Sequence, residues 1–141
     1  MNQKPYRAWK FNFPSDRVTE TGITTSASGG IEMTSGLTSI QQSLRMLLSI
    51  RPGERVMYPG YGCDLTKLAF AQNDETTAGL AIHYIREAVR RWEPRVRILR
   101  IDARANPHSR ERLDIFLEYR TILSERTENF EYSIDLNQKR L

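Results

Sequence analysis

Apolar side chains recur along this chain in two rhythms, first helical and then alternating. Leu37, Ile40, Leu44, Leu47 and Leu48 keep the spacing of one helix face, with Ser39, Gln41, Gln42 and Arg45 between them. Ser35 or Gly36 stands at the N-cap position, and Pro52-Gly53 predicts a stop just after Arg51. A second helix is predicted to start near Asn73 or Asp74, with Glu75 in its first turn. Its buried stripe is Ala81, Ile85, Ala88 and Trp92, widened by Leu80, Tyr84 and Val89. Arg90 and Arg91 fall in its last turn, where cations suit the helix dipole.

After Pro94 the period becomes two. Residues 95–103 read as a strand and Asn106-Pro107 as a turn; Leu113, Ile115, Leu117 and Tyr119 then alternate with Asp114, Phe116, Glu118 and Arg120. A last strand follows, with Phe130, Tyr132, Ile134 and Leu136 on one face. Three strands joined by short connections predict an antiparallel meander, whose apolar face the two helices would cover. The expected fold class is α+β: two main helices packed on a small antiparallel sheet, with an N-terminal arm or hairpin. That arm, residues 1–35, alternates Trp9, Phe11 and Phe13 with Lys10 and Asn12 as far as Pro14. Residues 15–30, rich in Ser, Thr and Gly, read as a flexible loop, and Ile31-Glu32-Met33 as a return strand. Residues 36–141 form the main domain.

Two segments stand apart from these rhythms. The first is Arg51-Pro52-Gly53-Glu54-Arg55-Val56-Met57-Tyr58-Pro59-Gly60-Tyr61-Gly62, whose two Pro-Gly pairs hold the backbone on a tight path. Just beyond it, Asp64 is expected to cap a short helix over residues 65–70. The second is Trp92-Glu93-Pro94-Arg95-Val96. Proline drives Glu93 out of the helical region, and in an extended run residues two apart point the same way. Glu93 and Arg95 are therefore expected side by side, next to Trp92, as a pair that closes on itself or is offered to a partner.

Composition narrows the class. The chain has 141 residues, 39% hydrophobic and 27% charged, which fits one soluble globular domain and not a disordered chain. No apolar run approaches the ~20 residues that span a bilayer, so membrane insertion is not expected. Lys4 and Arg7 are followed by no apolar segment, so a secretory signal is not expected either. Cys63 is alone, which leaves no intrachain disulfide and agrees with a reducing compartment. The net charge is +4 and arginines far outnumber lysines, a bias favoured where multi-donor contacts are made to partners.

Candidate chemistry is sparse. His83 and His108 have no second ligand at metal spacing, so neither a metal nor another cofactor is expected. Cys63 lacks a nominated base. Glu54 is flanked by Arg51 and Arg55, and Glu93 by Arg91 and Arg95; neighbouring cations favour the ionised form, the opposite of what a glycosidase-type acid needs. An enzyme would show turnover dependent on Glu54, Cys63 or Glu93. The alternative reading is a small basic nucleic-acid-binding module using Arg86, Arg90, Arg91, Arg95, Arg97, Arg100 and Arg104, with salt-sensitive binding. Glu87, Glu93 and Asp102 interrupt that series and no recognised DNA- or RNA-binding motif accompanies it, so nucleic acid is the weaker partner class.

The helix from Gly36-Leu37 to Leu48, the segment at residues 51–62, and Glu93-Pro94-Arg95 ahead of antiparallel strands together resemble the gene-25-like baseplate wedge family. That family occurs in contractile phage tails, type VI secretion and extracellular contractile injection systems, and the resemblance covers residues 36–136. It implies a structural, non-enzymatic subunit, synthesised in the bacterial cytoplasm and present in several copies in a sixfold baseplate. The family has sometimes carried a lysozyme-like label, which the carboxylate argument disfavours. Implied partners are other wedge proteins in a core bundle, the sheath protein, and the hub, spike or tube. Wedge contacts are implied at Glu93, Pro94 and Arg95, with Trp92 beside them. Arg51, Pro52, Gly53, Glu54, Arg55, Tyr58, Pro59 and Gly62 form the turn and interface motif. Sheath attachment by strand addition is implied, with the edge carrying Phe130, Tyr132 and Ile134 as its candidate. Disrupting Glu93 or Arg95 singly is expected to block assembly while leaving the isolated domain folded.

Overall fold

The computed structural model describes residues 7–9, 11–12, 22–23, 33–122 and 125–137. The chain divides into two compact units, Met1–Leu44 and Arg45–Leu141. In the first, β1 (Arg7–Trp9) pairs antiparallel with β4 (Met33–Ser35), and β2 (Phe11–Asn12) with β3 (Gly22–Ile23). Met33 of the expected return strand pairs in β4, while Ile31 and Glu32 lie outside the described residues. Gly22–Ile23 pairs inside a segment that composition marked as loop, because ladder hydrogen bonds depend on the backbone and only weakly on propensity. Phe13 and Pro14 lie outside the described residues.

Gly36, at φ 64°, accepts the first hydrogen bond of α1 (Leu37–Ser49) from the Ile40 N–H. Ile40, Leu44, Leu47 and Leu48 are all buried, as the spacing predicts. A 3-10 turn, Asp64–Leu68, follows and buries Leu65 and Leu68. Asp64 is not its cap: Cys63 occupies that position without a side-chain bond, and Asp64 pairs with Lys67 inside the turn at 3.3 Å. In α2 (Glu75–Trp92), Asp74 is the N-cap and accepts from the Thr77 N–H at 2.8 Å, a bond that lowers the Asp74 carboxyl below its ordinary range. The buried stripe is Thr77, Ala81, Ile85, Ala88 and Val89; Leu80 faces solvent, and Trp92 is half-buried.

The sheet is a meander of β5 (Val96–Asn106), β6 (Ser109–Thr121) and β7 (Thr127–Asp135), antiparallel throughout, with α2 against β5. Leu113, Ile115, Leu117 and Tyr119 on the central strand are at most 2% exposed, opposite Ile134, Tyr132, Phe130 and Glu128 of β7. On β5 strict alternation would turn Arg100 and Asp102 into this core. The chain avoids that with a bulge: Ile98 lies opposite Tyr119 and Arg100 opposite Glu118, so Leu99 is the extra residue. Ile98, Ile101 and Ala103 thereby keep the inner side, while Arg97, Arg100, Asp102 and Arg104 take the outer.

Deleting Leu99 converts residues 96–103 into an unbroken alternation. Such a variant is expected to stay folded, with a thermal midpoint close to the parent's. Unfolding of this variant in a melting experiment would show that the bulge is needed for the sheet's twist and not merely to accommodate one residue.

Candidate protein-interaction site

The segment at residues 51–62 folds back on itself. Gly53 N–H donates to Pro59 O at 2.7 Å, Tyr61 N–H to Tyr58 O at 3.0 Å, and Cys63 N–H to Ile50 O at 2.9 Å. Gly62 makes the closure possible: its φ is 134°, and a Cβ there would lie 2.5 Å from the Ile50 carbonyl oxygen. Glu54 bonds the Arg51 N–H at 3.1 Å. The tip of the loop presents Val56 and Met57, 95% and 86% exposed, followed by a largely exposed Tyr58.

At the end of α2 the backbone turns sharply. Glu93 caps the helix, its N–H bonded to Val89 O, and its own carbonyl accepts from the Val96 N–H at 3.2 Å. Residues 93–96 thus form a β-turn with Pro94 at the second position, which suits the fixed φ of proline. Arg95 belongs to this turn, and the strand begins only at Val96. The expected neighbourhood of Glu93 and Arg95 is present, but turn geometry creates it instead of strand alternation. Arg95 Nε donates to Glu93 Oε1 at 2.6 Å and Nη2 to Oε2 at 2.8 Å, a two-pronged fork. The Glu93 side chain is 5% exposed and that of Arg95 29%.

Aromatic contacts join the two segments. The Tyr61 and Trp92 rings meet edge to face at 5.4 Å, and Gly60 is close enough that a Cβ on it would touch Trp92 at 3.5 Å. Arg55 lies over the Tyr61 ring at 4.5 Å and donates to Met46 Sδ, and Arg91 lies over Trp92 at 5.1 Å. Trp92 is half-buried because it is shared between α2 and this loop. Burial raises the Tyr61 phenol above its ordinary value, while Arg55 draws it down. Sequence reasoning named both segments but missed Tyr61 as the joint between them and Val56 and Met57 as the tip. A pair of apolar residues inside a turn-rich stretch was the available signal.

Phe130, Tyr132 and Ile134 lie on β7, an outer strand of the meander. Their side chains face the same side as Leu117, Ile115 and Leu113; Phe130 is buried, stacked on Tyr132 and covered by the Arg45 guanidinium at 5.9 Å. What β7 can offer along its outer edge is backbone. The other candidates are scattered. His83 and His108 are exposed and apart from Cys63 in sequence and element, and burial pushes the Cys63 thiol up to about 12, which disfavours the reactive thiolate. Among the described residues no cluster of three His, Cys, Asp or Glu gathers, and no helix is long and apolar enough to cross a membrane.

The burial of Glu93 changes where the cost of disruption falls. With its guanidinium removed, the carboxylate loses its two charged donors in a nearly dry position. Arg95→Ala is therefore expected to destabilise the isolated chain by roughly 3 kcal/mol, and Arg95→Lys by less, since it keeps the charge without the fork. Urea unfolding measures both; a loss below ~1 kcal/mol would put the pair among ordinary surface bridges.

The geometry has relatives. A family profile described as baseplate wedge protein gp25 matches residues 34–126. Baseplate wedge protein gp25 of Enterobacteria phage T4 is 39% identical over 61 residues, 43% of this chain and 46% of that protein, so the match spans less than half of the relative's length. A crystal structure of a Geobacter sulfurreducens protein labelled a tail lysozyme superposes with a TM-score of 0.67 at 31% identity, covering 83% of this chain and 97% of that one. A chain of the six-fold symmetrised anti-feeding prophage baseplate shares the fold, with a TM-score of 0.62 at 20% identity over 96% of this chain and 90% of its own. The matched profile includes the loop at residues 51–62, the Glu93-Pro94-Arg95 turn and the first two strands of the meander, and the chain belongs to the gp25 baseplate wedge family.

Proposed function

We propose that this chain is a structural wedge subunit of the baseplate of a contractile tail or injection particle, assembled in the bacterial cytoplasm beside other wedge proteins. The observation that carries the reading is the joined pair of motifs: the Glu93–Arg95 fork and the Tyr61–Trp92 contact hold an exposed Val56-Met57-Tyr58 tip on a rigid base. A preformed, partly apolar protrusion loses little conformational freedom on docking, which suits a permanent contact in an assembly. Glu93, Pro94, Arg95 and Trp92 orient that face, and the surrounding turn residues fix its shape.

The second contact in this proposal is the sheath. The outer edge of β7 would receive a strand from the first sheath ring, so that movement of the baseplate is passed on through backbone hydrogen bonds. Several copies in a sixfold arrangement follow the symmetry of the anti-feeding prophage baseplate. The lysozyme label of one relative finds no matching chemistry here: both Glu93 oxygens are engaged by Arg95, and Glu54 is an exposed partner of Arg51.

The double variant Val56→Ser/Met57→Ser alters only exposed atoms, so its fold is expected to be intact. In particles purified from cells producing the neighbouring structural genes, it is expected to be missing from baseplates, with sheath left unattached in electron micrographs. Normal incorporation would reject the tip as a wedge contact. For the sheath contact, hydrogen exchange at residues 127–135 is expected to slow on addition of purified sheath protein. Unchanged exchange there would reject β7 as the receiving edge.

A further inference from the structure

Most arginines of the described residues already have a partner. Arg51 pairs with Glu54, Arg90 with Glu87, Arg95 with Glu93 and Arg104 with Asp102, while Arg55 and Arg91 lie on aromatic rings. Arg97, Arg100 and Arg120 have no such side-chain partner among the described residues, like Arg86, Arg110 and Arg112, but the first three gather at one end of the sheet's outer face. All three are exposed on the outer face of the sheet, and none pairs with a carboxylate among the described residues. The register sets Arg97 directly opposite Arg120, an arrangement of like charges that weakens a strand pair. The Leu99 bulge keeps Arg100 on the same outer side. Within the sheet only Arg100 has a carboxylate across the ladder, Glu118, and no ion pair is closed between the two.

The patch also has apolar flanks. Ile122, 72% exposed, donates its N–H to Arg95 O, and Leu99 is exposed at the bulge. It is thus continuous with the Glu93–Arg95 turn. We infer that Arg97, Arg100 and Arg120 form a docking surface for an acidic protein segment whose carboxylates are interspersed with apolar side chains. Guanidiniums bind carboxylates with two parallel bonds, and Ile122 and Leu99 offer apolar contact beside them. A nucleic-acid backbone fits less well, because Glu118 stands opposite Arg100 and Asp102 follows on β5, where a continuous row of phosphates would meet both. The choice of a protein partner rests on the proposed wedge role. The assay below uses the isolated chain, so its result and the particle result for Val56→Ser/Met57→Ser can fail independently.

The test is fluorescence anisotropy of the full chain with a fluorescein-labelled peptide of alternating Glu and Val at near-physiological salt. The variant Arg97→Gln/Arg100→Gln/Arg120→Gln is compared with Arg86→Gln/Arg110→Gln/Arg112→Gln, which removes the same charge from exposed arginines elsewhere. The first triple is expected to weaken binding about tenfold or more, the control by no more than about twofold. The first triple should melt close to the parent, because relief of the Arg97–Arg120 repulsion offsets the loss of Arg100 from opposite Glu118. Equal losses in both triples, or no binding by the parent chain, would overturn the inference. So would tighter binding of a duplex DNA with the same dependence on the first triple, or sedimentation showing self-association abolished by it, each of which would assign the surface to a different occupant.

Discussion

A carboxylate buried at the C-terminal end of a helix is a costly arrangement. Glu93 has lost nearly all of its water and sits where the dipole of α2 is negative, so both effects oppose its charge. The Arg95 fork offsets them, and only the β-turn through Pro94 brings that fork within reach. The junction between helix and sheet is therefore tied to one backbone geometry. Because Val96 begins β5 immediately afterwards, the angle at which the meander leaves α2 depends on the same lock.

The lock also reaches the loop at residues 51–62. Tyr61 rests against Trp92, and Gly62 occupies a backbone region that would force a side chain into the Ile50 carbonyl. Apolar residues at the loop tip cannot retreat into the core without breaking these contacts, so Val56 and Met57 remain in solvent. Exposed apolar groups on a rigid support are a poor solution for a lone domain and a good one for a subunit that is covered on assembly. The same holds for the outer face of the sheet, where Arg97 and Arg120 stand opposite one another with no carboxylate paired to either among the described residues.

The relatives place one architecture under two labels, wedge protein and tail lysozyme. Fold alone does not choose between them, since function lives in the site. Here the two carboxylates of the joined segments, Glu93 and Glu54, are held by Arg95 and Arg51, and the loop beside them exposes Val56 and Met57.

The sequence by itself determined the elements whose periods are undisturbed. The apolar stripe of α1, the span of α2 from a start near Asn73 or Asp74 to Trp92, and the alternation of Leu113, Ile115, Leu117 and Tyr119 were all legible, because burial of one face repeats at a known spacing. The motif residues 51–62 and 93–95 were legible too, through their prolines and glycines. Only the tertiary structure decided where the period is broken. Leu99 bulges because the partner strand continues in register; Asp64 gives up the cap to Cys63; Arg95 meets Glu93 across a turn and not along a strand. It also decided that Tyr61 and Trp92 meet across thirty-one positions of sequence (92 − 61) and that Phe130 turns inward from an outer strand. Periodicity reports which face of an element is buried, whereas contacts between distant segments follow from how buried faces pack, and one-dimensional spacing carries no such information.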